Sequence, residues 1–127
     1  MATWNDIGIE NLEAAKLLKE QDKVRSCLNR AYYSVYAIAT ARLQDTGVDT
    51  SHRGRPNPGH DQLHDLVRNN LQPRRLSDHD RKELARRFRH LMRFRQSADY
   101  DPESTLESQD AVFCLQQASQ FHQRLEG

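Results

Sequence analysis

Basic side chains are concentrated between positions 81 and 95. Eight of these residues are Arg, Lys or His, namely Arg81, Lys82, Arg86, Arg87, Arg89, His90, Arg93 and Arg95. In a helix, Arg86, Arg89 and Arg93 would share one stripe. Arginine binds phosphate through paired N–H donors, which favours a surface for nucleic acid. Its predicted members are Arg86, Arg89, His90, Arg93 and, from an upstream segment, Arg55. The alternative is a solvated face whose charge acidic residues of neighbouring helices offset.

Histidines could bind a metal ion or transfer protons. His60 and His64 are one helical turn apart, with Asp61 and Asp65 beside them, and two imidazoles at that spacing can share a zinc ion. The glutamate of the metalloprotease arrangement is missing and both cysteines are remote in sequence. We therefore expect a solvated helix start here, with no metal and no cofactor.

Three tyrosines stand close together at Tyr32, Tyr33 and Tyr36. They cannot all face one side of a helix, because adjacent residues diverge by about 100° around its axis. Tyrosine can stack on a nucleobase, but flanking Ala, Val and Ile favour core packing with a satisfied hydroxyl. We expect core packing, with at least one ring at a polar edge.

Apolar residues recur at intervals of three and four in five segments. The predicted helices span about 5–21, 23–45, 60–71, 78–98 and 102 onward. The second is the most apolar and should lie centrally, whereas Pro102 suits the first turn of the fifth. The core side of that fifth helix is predicted to carry Leu106, Val112, Phe113, Leu115, Ala118, Phe121 and Leu125. We expect an all-α, up-down bundle of four to five helices in one domain spanning residues 1–127.

The segment from about 46 to 59 is predicted to be a long loop, because it holds three of the five glycines and two of the four prolines. Long loops inside small domains are commonly functional or mobile. Gln72 and Pro73 are predicted to end the third helix.

Charge and hydropathy exclude several classes of protein. The 127 residues carry 19 Lys and Arg against 18 Asp and Glu, so net charge does not select a partner. No apolar run is long enough to cross a membrane, and the N-terminus lacks an apolar signal region. Cys27 and Cys114 form no paired motif and are expected as buried thiols. We expect a protein of the bacterial or archaeal cytoplasm.

Two stretches resemble the HEPN family of prokaryotic helical domains. Residues 26–43 read Ser-Cys-Leu-Asn-Arg-Ala-Tyr-Tyr-Ser-Val-Tyr-Ala-Ile-Ala-Thr-Ala-Arg-Leu, similar to the Arg-Ala-Tyr-Tyr-Ala stretch of the family's second helix. Residues 93–101 read Arg-Phe-Arg-Gln-Ser-Ala-Asp-Tyr-Asp, similar to its Arg-x-x-Ala-Asp-Tyr ending of a late helix. The resemblance implies a helical bundle, commonly a homodimer, often encoded beside a small nucleotidyltransferase as a toxin and antitoxin pair.

Many members of this family cleave RNA without a metal. In those, an Arg, a His five residues later and a Tyr two residues beyond line a cleft at the dimer interface. The resemblance places the Arg on Arg93 and the Tyr on Tyr100, with Asp99 able to orient either one. The His position, however, is Ala98. Metal-free cleavage needs one group to remove the 2′-hydroxyl proton and another to protonate the leaving oxygen, and alanine does neither.

Another histidine could take that role. His60 follows Arg55 by five residues, although the prolines and Gly59 between them preclude a helix there. His90, on the basic helix, is a second candidate.

Two hypotheses follow. In the first, the protein is a HEPN-type component of a toxin and antitoxin or defence system that binds RNA and can cleave it. In the second, it is a non-catalytic module that docks a nucleotidyltransferase partner. A nucleotide-sensing domain is a third alternative.

Overall fold

The computed structural model describes residues 1–55, 57–71 and 76–126. These residues form five helices, α1 Trp4–Glu20, α2 Val24–Asp45, α3 His60–Asn70, α4 Asp78–Tyr100 and α5 Ser108–Leu125. No strand is present in the described ranges, where the β-type pairing consists of one bridge between His52 and Arg55. The prediction of an all-α helical bundle is confirmed. Gln72 and Pro73, predicted to end the third helix, lie outside the described residues.

Helix α2 is the centre of the bundle, as its apolar composition predicts. It packs against all four other helices, and thirteen of its residues are buried. The closest approach is to α1 at Gly8, where a Cβ atom would stand 3.1 Å from the backbone nitrogen of Ile38 and 3.2 Å from the carbonyl oxygen of Ser34. A glycine at this point lets two helix backbones pack without a side chain between them.

The end of α4 is held by a guanidinium group from α2. The Nη1 atom of Arg25 donates to the carbonyl oxygens of Ser97, Ala98 and Asp101 at 3.3, 3.0 and 3.0 Å. Its Nη2 atom donates to the carbonyl oxygens of Pro102 and Ser104 at 3.3 and 2.9 Å. Carbonyls in the last turn of a helix lack intrahelical partners, and Arg25 supplies one. Helix α4 thereby extends to Tyr100, two residues beyond the predicted end.

The prediction that the fifth helix starts at Pro102 is wrong. The chain turns after α4, where the Asp101 carboxylate accepts from the backbone N–H of Glu103 at 3.1 Å and from the Ser104 hydroxyl at 2.8 Å. Helix α5 starts only at Ser108, after Glu107, whose backbone N–H donates to the Asp110 carboxylate at 2.8 Å. The Asp101 side chain competes with a helix through such local bonds, so that α5 starts six residues later than predicted, at the cap formed by Glu107 and Asp110.

Two residues predicted for the core side of α5 are exposed. Val112 and Phe113 keep 38% and 36% of their surface accessible. The buried face of α5 is formed instead by Ala111, Cys114, Ala118, Phe121, His122 and Leu125. The Phe113 ring packs against His90 and Phe94 of α4, with ring centroids 6.0 and 5.8 Å apart. Both cysteines are buried free thiols, as expected.

Candidate functional site

The three tyrosines of α2 surround the first residue of α3. The ring of His60 lies 5.5 Å from Tyr32, 6.2 Å from Tyr33 and 5.5 Å from Tyr36, measured between ring centroids. The Tyr32 hydroxyl is hydrogen-bonded to Nδ1 of His60, and the Tyr36 hydroxyl donates to the carbonyl oxygen of Pro58 at 2.5 Å. Tyr32 and Tyr36 are buried and Tyr33 is half-buried. The rings therefore pack in the core and also shape a site.

Arg95 contributes a buried positive charge on the other side of these rings. Only 5% of its surface is accessible, and its guanidinium carbon lies 5.2, 5.7 and 5.6 Å from the ring centroids of Tyr32, Tyr33 and Tyr100. Its Nη1 atom is 3.7 Å from the Asp99 carboxylate and 3.5 Å from the Tyr100 hydroxyl. Aromatic faces stabilise a cation that has lost its water.

His60 is held in its neutral form at neutral pH. Burial lowers the pKa of His60 below its ordinary value, and the positive charge of Arg95 lowers the pKa further, against the opposing effect of Asp61. Burial also raises the pKa of Tyr32 far above its ordinary range, so that its hydroxyl stays protonated. A hydroxyl can donate or accept, so either neutral tautomer of His60 satisfies the bond at Nδ1. The second nitrogen, Nε2, takes no part in the bond to Tyr32.

The segment before α3 fixes where His60 lies. Gln62 accepts from the backbone N–H of Gly59 at 3.0 Å and donates to the carbonyl oxygen of Ser51 at 3.0 Å. The His52 imidazole packs against Gly59, and a Cβ atom built on Gly59 would lie 3.1 Å from the Nε2 atom of His52. Earlier in the same segment, backbone hydrogen bonds of 2.9 and 3.0 Å join His52 and Arg55 across a turn. The start of α3 is therefore anchored from both sides.

His60 opens onto a cleft between α1 and α2. This cleft has a volume of about 300 Å³ and is lined by Trp4, Ile7, Asn11, Arg30, Tyr33, Tyr36, Ala37, Asn57 and His60. A second cleft of about 560 Å³ is lined by Leu18, Arg25, Ser26, Asn29, Arg30, Ala98 and Asp99. Arg30 lines both clefts, and its Nη1 atom donates to the side-chain oxygen of Asn11 at 3.3 Å. The two clefts thus meet at an exposed guanidinium group.

The predicted RNA-binding residues of α4 lie along its outer side. Arg86, Arg89 and Arg93 are exposed. Arg86 forms an ion pair of 2.8 Å with Glu83, and Arg89 contacts Nδ1 of His64 at 3.3 Å. Arg93 forms no ion pair within the described ranges. His90 is half-buried, with its Nδ1 atom enclosed and without a partner there, and it faces Phe113 on the α5 side.

The remaining predicted residues fall in two places. Arg55 is exposed at the turn before α3. Asp99 and Tyr100 join the site through Arg95, and Asp99 also accepts from the side-chain amide of Asn29 at 2.9 Å. Tyr100 is 75% accessible, with its ring against the Arg95 guanidinium. The structure therefore brings together His60, Asp99 and Tyr100, while Arg93, Arg86, Arg89, His90 and Arg55 lie outside this cluster.

The sequence did not lead us to predict Arg95 and Arg30 as members of the site. The signal for Arg95 was present, because the stretch Arg-Gln-Ser-Ala-Asp-Tyr begins at Arg95 and the helical period places residue 95 with buried Leu84, Phe88, Leu91 and Met92. The signal for Arg30 was its place in the Arg-Ala-Tyr-Tyr stretch. Ala98 is buried, and its carbonyl oxygen is held by Arg25.

Comparisons with known proteins agree with this architecture. None of the helices in the described ranges is both long enough and apolar enough to cross a membrane. A search of curated proteins found no match. The family model for the HEPN domain matches residues 1–127, which is the whole chain, and such a domain indicates a role connected with nucleotides or RNA. With five helices and the motif at residues 95–100 in place, this match shows that the chain belongs to the HEPN family.

Proposed function

We propose that the protein acts on RNA as a metal-independent ribonuclease, with His60 in place of the histidine that the family motif lacks here. The observation that carries the proposal is His60 itself. His60 lines the 300 Å³ cleft as a neutral imidazole. Its ring is oriented by the hydrogen bond to Tyr32, and Arg30 lines the same cleft. A neutral imidazole can accept a proton at neutral pH, which is what removal of a 2′-hydroxyl proton requires.

The other requirements of the reaction are also met around this cleft. Arg30 can bind the phosphate and stabilise the negative charge that builds up on it. The Tyr33 hydroxyl, which has no hydrogen bond in the described ranges, lines the same cleft and is the candidate donor to the leaving oxygen. Burial, aided by the charge of Arg95, lowers the pKa of His60 and keeps it unprotonated. The Arg95 guanidinium is enclosed by tyrosine rings and so is not assigned to the phosphate.

The exposed stripe of Arg86, Arg89 and Arg93 is proposed as the surface that holds the rest of the RNA. Each phosphate contact releases counterions, so affinity falls with salt in proportion to the number of contacts. Arg93→Ala should weaken RNA binding uniformly across sequences and reduce the slope of log affinity against log salt by about 1. An unchanged affinity and slope would remove Arg93 from the interface.

The test of catalysis is RNA cleavage in EDTA. Labelled transfer RNA and mixed RNA are incubated with the wild type, with His60→Gln and with Tyr33→Phe, and both cleavage and retention are followed. We expect His60→Gln to lose cleavage while keeping RNA retention. His79→Gln is the matched control, because His79 is exposed in the first turn of α4, outside both clefts. Equal cleavage by His60→Gln and the wild type would refute the assignment.

A second function is favoured by the buried Ala98. The position that carries the motif histidine in nuclease members is a buried alanine that lines the second cleft, and its methyl group can neither accept nor donate a proton. A non-catalytic module that docks a nucleotidyltransferase partner would need no histidine there. Intact RNA from every sample, together with copurification of the protein with such a partner, would support this alternative.

Dimerisation remains a prediction from the family, whose domains often dimerise. Ile9 and Leu17 on α1 expose 46% and 58% of their surface, and Val112 and Phe113 on α5 are also exposed. Light scattering after size-exclusion chromatography measures the mass directly, and a single species at the mass of one 14.8 kDa chain would contradict the prediction.

A further inference from the structure

We infer that the 300 Å³ cleft beside His60 is a pocket for one unpaired nucleobase, so that the substrate is single-stranded RNA. This inference rests on the proposed function and deepens it. The volume lies at the lower end of the range for small-molecule pockets, which suits one base rather than a whole nucleotide chain. Its lining of aromatic rings with a few polar groups is the composition that such pockets have.

The indole of Trp4 supplies a stacking surface. Trp4 is half-buried at the start of α1, with its ring centroid 6.0 Å from that of Tyr36 and tilted by 60°. Contact with Tyr36 holds one side of the indole in place, while the residue still lines the cleft. A base that stacks on an aromatic side chain gains binding energy whatever its identity, because every base has a π-face.

Polar groups at the edge of the cleft fit the rest of a nucleotide. The Asn57 amide lines the cleft and can donate to or accept from a base edge. Arg30 is held at the rim by Asn11, which is itself fixed by a bond of 2.9 Å from its amide nitrogen to the carbonyl oxygen of Ile7. A phosphate bound at Arg30 therefore has a base pocket on one side and the second cleft on the other.

The second cleft can hold the next part of the RNA strand, because it adjoins the first cleft at Arg30. It is lined by Ser26, Asn29 and Asp99 beyond Arg30. Arg25 also lines this cleft, but its guanidinium is bound to five backbone carbonyls, and the Asp99 carboxylate repels a phosphate there. Arg30 is therefore the position for the phosphate between two nucleosides. A paired base cannot enter the first cleft without leaving its helix, and that step costs a few kcal/mol that an unpaired base does not lose.

The test uses Trp4 as its own reporter, because it is the only tryptophan of the chain. A single-stranded RNA oligonucleotide, a blunt RNA duplex of equal length and 5′-AMP are titrated separately while Trp4 fluorescence is recorded. Fluorescence anisotropy of labelled RNA measures total binding in parallel. We expect saturable quenching by the single strand and by 5′-AMP, and little quenching by the duplex.

Variants separate the pocket from general RNA binding. Asn57→Ala and Arg30→Gln should weaken the quenching isotherm, and Trp4→Ala should lower single-strand affinity by anisotropy about 5- to 150-fold, the range for loss of one stacking contact. Lys19→Gln is the matched control, because it removes one exposed positive charge from α1 outside both clefts.

The outcomes distinguish this inference from the proposed function. If RNA binds by anisotropy but Trp4 is not quenched, or if the duplex quenches equally, the base pocket is overturned and action on RNA stands. If 5′-AMP quenches but no RNA binds, the pocket stands and action on RNA is overturned. If neither probe binds, both are overturned.

Discussion

A buried histidine on α5 should make the fold sensitive to mild acid. His122 is only 5% accessible, and its Nε2 atom is enclosed without a hydrogen-bond partner in the described ranges. Burial lowers the pKa of His122 to about 4 from an ordinary value of 6.5, while a bond to the backbone of Ser34 opposes the shift and the charges of Lys16 and Arg42 add to it. The imidazole is therefore neutral in the folded chain.

The sign and size of the effect follow from proton linkage. Between pH 6.5 and 4 the unfolded chain binds a proton at this residue that the folded chain does not, so the free energy of unfolding falls as pH falls. One pKa unit corresponds to about 1.4 kcal/mol, so the shift on His122 amounts to up to about 3 kcal/mol. This contribution of His122 to the free energy of unfolding is complete above about pH 6.5 and is lost as pH falls toward 4.

The assay is urea denaturation followed by circular dichroism at several pH values from 4 to 7. His122→Phe replaces the imidazole with an apolar ring and should flatten the pH dependence. His60 has a lowered pKa as well and contributes in the same direction, so the quantity compared is the difference between wild type and variant. His79→Gln, at an exposed position, should keep the wild-type dependence. A difference that does not change with pH would refute the reasoning.

Three further changes test individual contacts, two in the fold and one in the candidate site. Arg25→Met removes the donors to five carbonyls and should destabilise the fold by about 2 kcal/mol or more, with faster amide exchange confined first to residues 98–107; uniform protection there would contradict this. Gly8→Val places a side chain against the backbone of Ile38 and should cost about 1–3 kcal/mol in the free energy of unfolding by urea. Tyr32→Phe removes the hydroxyl from Nδ1 of His60 and should lower cleavage at least several-fold with RNA retention kept, and full activity would mean that this bond does not orient the ring.

Helix positions could be predicted because apolar periodicity and capping residues are local signals. Four of the five helices begin within one residue of their predicted starts. The start of α5 was predicted wrongly because the turn after α4 is held both by local bonds of Asp101 and by Arg25 of α2. Pro102 suits a helix start by itself, but its carbonyl is bound by Arg25, which is 77 residues away in sequence.

The site could be predicted only in part, because contacts between different helices leave no local signal in the sequence. His60 and the tyrosines were found from residue type and spacing, yet only packing shows that they surround one another. The family pattern put its arginine on Arg93, whereas the side chain that reaches the tyrosines is Arg95, two residues later. Two residues on a helix differ by about 200° around its axis, so a small error of register exchanges a buried group for an exposed one.

The turn before α3 also offers a place to attach a probe. Arg53 and Gly54 lie at its tip with φ angles of 50° and 77°, beyond the backbone bridge between His52 and Arg55. The contacts that fix the start of α3 are made by Ser51, the His52 ring, Gly59 and Gln62, and none of them involves the two residues at the tip. A fluorophore or a short inserted peptide at the tip would therefore follow events at the cleft without displacing the histidine, whereas an insertion next to Gly59 would move it.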